Sequence, residues 1–278
     1  MNKEVFVPLV TYPDPISEQA ASNALAIAKH LEAEPFATVL TVEIAEVSSA
    51  LGRILLNVPE MIREAEAKSR AHASKLVSFI KRRATQEGVT VSTSEASAPQ
   101  AEFGNVAAEI ARYYDLSIVP CDGQNEAARV IAEALVFSSG RPVILVPGTP
   151  QLQSLDRVMI AWDGSAVAAR AASDAQPLLH RASHVSIVTV VDEKPINNND
   201  IGKQLAEKLN RRGLAAEAIS ITAEDCPIGE TLQAHALETD AGLLVMGGYG
   251  HSRLRDFVLG GATEYVLSEL RLPILISH

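Results

Sequence analysis

The chain is short of most features that mark a membrane, nucleic-acid or disulfide-built protein. Aromatic residues are 4% of its 278 positions, with a single tryptophan. Cysteine occurs twice, at Cys121 and Cys226, neither as a CxxC pair nor at metal-ligand spacing, so no disulfide framework or zinc site is expected. Two buried thiols in a reducing compartment are expected instead. Positive charge is outweighed, with a formal net charge of -10, which speaks against a nucleic-acid or anionic-membrane partner. No apolar run approaches the roughly 18 residues of a membrane span, and the apolar part of MNKEVFVPLVTYPDP is too short for a signal peptide. A cytoplasmic protein is expected. Catalytic motifs are missing too: there is no GxSxG elbow, no HExxH and no lysine following a glycine loop.

What is present is aliphatic. Hydrophobic residues reach 47%, carried by Ala, Val, Leu and Ile, a profile that suits helices packed on a buried parallel sheet. Short apolar runs alternate with helical patterns along the whole chain. In the first half, strands are expected at 5–10, 37–44, 89–93, 116–120 and 142–146. Helices are expected at 17–31 with Ser17 as cap, 59–87, 101–113 and 126–137. The second half repeats the order, with strands at 157–161, 185–191, 215–221, 243–246 and 273–277. Its helices are expected at 166–179, 200–212, 229–238 and 262–270, with Asn197-Asn-Asn-Asp200 a loop leading into a capped helix. This predicts an α/β protein of two tandem doubly wound parallel-sheet, Rossmann-like domains.

Echoes between the halves support a duplication. Asp115-Leu-Ser-Ile-Val matches Asp240-Ala-Gly-Leu-Leu-Val, and Arg141-Pro-Val-Ile-Leu-Val matches Leu272-Pro-Ile-Leu-Ile-Ser. The turn-rich segment Pro147 to Ser154 reads as a linker, giving domains at 1–148 and 155–278. The late strands 142–146 and 273–277 are the expected contact of an internal pseudo-dimer. Whether two chains pair further into a homodimer is left open.

The copies differ at one loop. Five of the 16 glycines fall in Gly247-Gly248-Tyr249-Gly250 and Gly260-Gly261. The first half has Cys121-Asp-Gly-Gln124 there and no later Gly-Gly pair, and Asp122 would repel a phosphate. In an open parallel sheet, ligands bind outside the carboxyl ends of strands where strand order reverses. Two loops meet at that point, Ala161-Trp162-Asp163-Gly164-Ser165 and the glycine loop. Glycines expose backbone N–H groups at close range, and Gly260-Gly261 precedes a helix whose N-terminus favours anions. The competing reading is a tight surface turn. Likewise Asp163 either contacts a ligand or bonds its own turn. Thr263 either bonds a phosphate oxygen or caps its helix. His251 is most simply a solvated loop residue, Arg253 and Arg255 most simply form surface pairs, and Trp162 packs.

The spacing Gly247-x2-Gly250-x9-Gly260 resembles the glycine signature of ATP-binding universal stress proteins. Ile160-Ala-Trp-Asp163-Gly-Ser165 resembles their opening strand and acidic loop, and the two-copy layout is similar to tandem members. The resemblance implies a stress-response or regulatory protein that binds an adenine nucleotide, ATP, in its second domain. Ala161 and Val190 would line the base and Asp163 would face ribose or adenine. Gly247, Gly250, His251, Ser252 and Arg253 would wrap the phosphates, with further N–H donors at Gly260, Gly261 and Ala262. The family signature has Ser or Thr where this chain has Gly261, so one hydroxyl contact is missing. Mg²⁺ would bridge phosphates and water. No catalytic residue is nominated, and any ATP hydrolysis is expected to be slow. The alternative is a nucleotide-independent interaction protein that keeps the fold, and in either case the protein partner is unidentified.

Overall fold

The computed structural model describes residues 3–45, 57–121, 125–150, 152–191, 200–223, 225–248 and 261–278. Two compact units divide it, Met1–Ser139 and Gly140–His278. The fold is α/β, in two tandem doubly wound parallel-sheet units.

In the first unit β1 (Lys3–Val10), α1 (Glu18–His30), β2 (Ala33–Val42), α2 (Val58–Glu87), β3 (Ser92–Ala98), α3 (Phe103–Ala111), β4 (Leu116–Cys121) and α4 (Glu126–Ser138) follow one another. The strand order is β3-β2-β1-β4, all parallel. The central strand β1 is covered on both faces: Val5, Phe6, Val7, Leu9 and Val10 are each at most 1% exposed. Burial of each such side chain contributes about 1.5–3 kcal/mol. Ser17 caps α1, its Oγ accepting the Ala20 N–H at 3.1 Å.

The second unit holds β5 (Val143–Pro147), β6 (Arg157–Ala161), α5 (Ala166–Asp174), α6 (Gln176–Leu179), β7 (His184–Val190), α7 (Ile201–Arg211), β8 (Ala216–Ile221), α8 (Ile228–Glu238), β9 (Leu243–Gly247), α9 (Gly261–Ser268) and β10 (Ile274–Ser277). Its order is β5-β10-β9-β6-β7-β8. Every pair described is parallel except β5 with β10, which run antiparallel with Ile144 opposite Leu275. Right-handed crossovers place α5 and α7 on one face and α8 and α9 on the other, because the chain reverses direction across the sheet at β6.

The structure corrects four expectations. The strand expected at 89–93 lies at Ser92–Ala98, because Gly88 ends α2 in a left-handed cap and Val89 donates back to Ala84 O. That edge strand holds polar residues, secured by Thr38 Oγ1 to Ser94 Oγ at 2.9 Å and Thr41 Oγ1 to Glu95 Oε1 at 3.1 Å. The helix expected at 166–179 is two helices, since Pro177 cannot continue the hydrogen-bond ladder of the first. Asp200 precedes α7 without a side-chain cap bond and pairs with Lys203 at 2.9 Å instead. Lastly, the cysteines are not both buried: Cys121 is half-buried and Cys226 is exposed, in the turn before α8.

Candidate functional site

The order β9-β6-β7 puts the strand-order reversal at β6, so the crevice is bounded by Ala161, Val190 and Gly247 at three neighbouring carboxyl ends. Ala161 and Val190 are both half-buried. Trp162 extends the first of these ends, donating its N–H to Val188 O at 2.8 Å.

The turn Asp163-Gly164-Ser165 follows. Asp163 is exposed and its Oδ1 accepts the Ser165 N–H at 2.9 Å. Gly164, at φ +74°, makes the reversal that a side chain would oppose. Ser165 Oγ then accepts the Ala168 N–H at 3.2 Å and caps α5. Ser165 had no role in the sequence reading, although a serine just before an alanine-rich helical run is itself a cap signal.

Gly247 ends β9 for a packing reason. A Cβ there would lie 2.7 Å from Ala168 N and 2.7 Å from Val167 C, so α5 packs directly on the glycine. Gly248 continues the strand by donating to Ser277 O at 2.8 Å. Of the expected phosphate-binding residues, Gly250, His251, Ser252, Arg253 and Gly260 lie outside the described residues, as does Arg255. Gly261 opens α9, is exposed, and a Cβ on it would meet nothing within 4 Å. Ala262 is half-buried and Thr263 is 3% exposed.

Three polar atoms at these strand ends are buried without a hydrogen-bond partner among the described residues: Trp162 Nε1, Thr189 Oγ1 and Ser277 Oγ. The pairing of Ser277 with Gly247, and the alternation along β6 and β7, put all three on the face covered by α5 and α7. Sequence reading missed Thr189 and Ser277, because a hydroxyl inside an aliphatic strand carries no periodic signal. Among the described residues no three His, Cys, Asp or Glu side chains converge as a metal site. A cavity of about 710 Å³ lies at the opposite, amino end of β6 beside Arg157 and Asp240. On α9, desolvation holds the Tyr265 phenol above its usual value against the pull of Arg271, whose Nη2 donates to the phenol oxygen at 3.0 Å. No helix among the described residues is long and apolar enough to cross a membrane.

Residues 154–278 match the profile described as "Universal stress protein family". A universal stress protein of Synechocystis is 28% identical over 148 residues, covering 51% of this chain and 49% of that protein, so the chain spans about half the length of its curated relative. A universal stress protein structure from Archaeoglobus fulgidus aligns at TM-score 0.64 and 17% identity, covering 98% of this chain and 97% of that one. A putative universal stress protein from Pseudomonas aeruginosa aligns at TM-score 0.54 and 18% identity, covering 99% and 93%. At these identities the structural likeness speaks for the fold.

Proposed function

Residues 154–278 match the universal stress protein family, and from that premise we propose that the second copy, residues 155–278, binds an adenine nucleotide, ATP. The observation that carries the reading is the junction of β6 and β9. There the Asp163-Gly164-Ser165 turn and the start of the glycine pattern at Gly247 leave neighbouring strands at the switch point. Ala161 and Val190 flank the base. Asp163 Oδ1 holds the turn, and the exposed carboxylate accepts a ribose hydroxyl. Gly247, Gly250, His251, Ser252 and Arg253 follow the phosphates. Gly261 and Ala262 supply N–H donors from the start of α9, where the helix dipole favours negative charge, and Gly260 precedes them in sequence as a further donor. Mg²⁺ would be held by phosphate oxygens and water, since among the described residues no carboxylate cluster offers it a site. Binding in a cytoplasmic stress or regulatory protein changes the surface offered to a protein partner; fast turnover is not part of this reading.

Protein purified without added nucleotide, then denatured, gives a supernatant for ion-exchange chromatography. The proposal expects adenine nucleotide near one per chain. A clean supernatant, with no uptake of ATP added later, would count against it.

One observation favours the second reading, a nucleotide-independent interaction protein. Gly247 is required by its contact with α5 whether or not a ligand is present. The same chromatogram separates the two.

A further inference from the structure

The first unit has a crevice of its own at the ends of β1 and β2, and its residues can be matched to the second by register. Val10 pairs with Leu40 as Ala161 pairs with Val188. Val42 is the last residue of β2 paired with β3, opposite Ala98, as Val190 is the last of β7 paired with β8, opposite Ile221. The next residues donate alike, Glu43 N to Ala98 O at 2.9 Å and Val191 N to Ile221 O at 3.0 Å. Val42 therefore stands where Val190 stands.

In the first unit that position is occupied from within. Ser69, on α2 and 0% exposed, accepts the Val42 N–H on its Oγ at 3.0 Å. Thr11 Oγ1 donates to Leu40 O at 2.7 Å, so the 2.6 Å contact between the hydroxyls has Ser69 as donor. The result is a one-way chain from Val42 N–H through Ser69 and Thr11 to the Leu40 carbonyl, buried throughout and mutually polarising. Two residues on, Glu66 Oε1 accepts the Ile44 N–H at 3.1 Å. His72 Nδ1 donates to Thr11 O at 3.1 Å, which fixes the ring over the end of β1. Three side chains of one helix, each about a turn apart, thus take up the strand-end groups. The counterpart α7 spans 11 residues against 30 for α2, and presents Gly202 toward Thr189.

We infer that α2 is a built-in ligand of the first unit: Glu66, Ser69 and His72 close its crevice by autoinhibitory contact, and no exogenous nucleotide enters it. The matching of sites rests on the proposed role of the second crevice, but the contact itself does not.

Amide hydrogen exchange on the full chain tests this at two groups. Val42 and Ile44 should be protected, and saturating ATP should leave both rates unchanged. Ser69→Ala should raise exchange at Val42 roughly tenfold, as expected for loss of one buried hydrogen bond. Glu66→Ala, at a half-buried residue, removes the acceptor and should raise exchange at Ile44 while leaving Val39 alone. Unprotected amides in the unaltered chain, protection gained with ATP, or no response to either substitution would overturn the inference. Failure of the chain to bind any nucleotide would remove the proposed function and leave these rates as stated.

Discussion

At the end of β2 the backbone N–H of Val42 meets Ser69, and the neighbouring threonine, Thr41, donates to Glu95 at 3.1 Å. At the end of β7 the residues in the same register are Val190 and Thr189, and the Thr189 hydroxyl, 5% exposed, has no partner among the described residues. One copy has met its strand-end polar groups with its own side chains. In the other, Trp162 Nε1, Thr189 Oγ1 and Ser277 Oγ have no hydrogen-bond partner among the described residues. Buried polar groups are nearly always satisfied, so a cluster of exceptions at a topological switch point calls for an explanation. On the proposed reading, division of labour between the copies supplies one: the first trades ligand capacity for internal bonding, and the second keeps capacity at some expense of internal bonding.

The comparison is broken most severely by filling the contact between β9 and α5. Gly247→Ala must displace the backbone of Val167 and Ala168, and should destabilise the second unit by about 1–3 kcal/mol in urea unfolding. A neutral result would mean that α5 sits farther from the strand than described. In the first unit the corresponding insult is chemical rather than steric. Ser69→Ala strands the Val42 N–H and removes the donor to Thr11, at a cost of about 1–3 kcal/mol.

The helix starts offer a case where the copies should agree. Ser17 and Ser165 cap α1 and α5 with bonds of 3.1 and 3.2 Å. Alanine at either position should cost about 1 kcal/mol. Unequal costs would show that one cap has a second duty.

These paired features also show what could be read from sequence alone. Both serine caps precede alanine-rich helical runs, and continuous aliphatic runs such as Val5–Val10 identify strands covered on both faces, so the alternating α/β order was legible. The polar edge strand Ser92–Ala98 was misplaced because its stability comes from cross-strand hydroxyl bonds, which leave no apolar pattern. Likewise the glycine at 247 was legible as special, but its contact with α5 is set by a helix far away in sequence. The closure of the first crevice depends on Glu66, Ser69 and His72 meeting strand ends more than twenty residues away, and helical spacing alone does not tell what a polar face will touch.

Smaller effects sharpen the picture. Gly261→Ser restores the hydroxyl missing from the glycine signature, at a residue with open space for a side chain. ATP affinity in Mg²⁺ should rise several-fold, about 1 kcal/mol, by titration calorimetry. Unchanged affinity would place the phosphates elsewhere. Smaller still is the ion pair between α1 and α2, Lys29 with Glu87 at 2.9 Å. The hydrogen bond and charge of Lys29 hold the Glu87 carboxyl below its ordinary value of 4.5. Its contribution is therefore full above that value and lost as pH falls through the lowered one. Because Lys29 is largely exposed, Glu87→Gln should remove only about 0.5 kcal/mol at neutral pH and slightly flatten the acid limb of a stability–pH curve.

The claim that one copy binds and the other is closed is tested most directly by titrating ATP into the full chain and into Gly250→Val. A β-branched residue at 250 would put a side chain on the expected phosphate path. The account predicts one site per chain, abolished in the variant with the unfolding transition little changed. Two sites per chain, or one site with unaltered affinity in Gly250→Val, would contradict it.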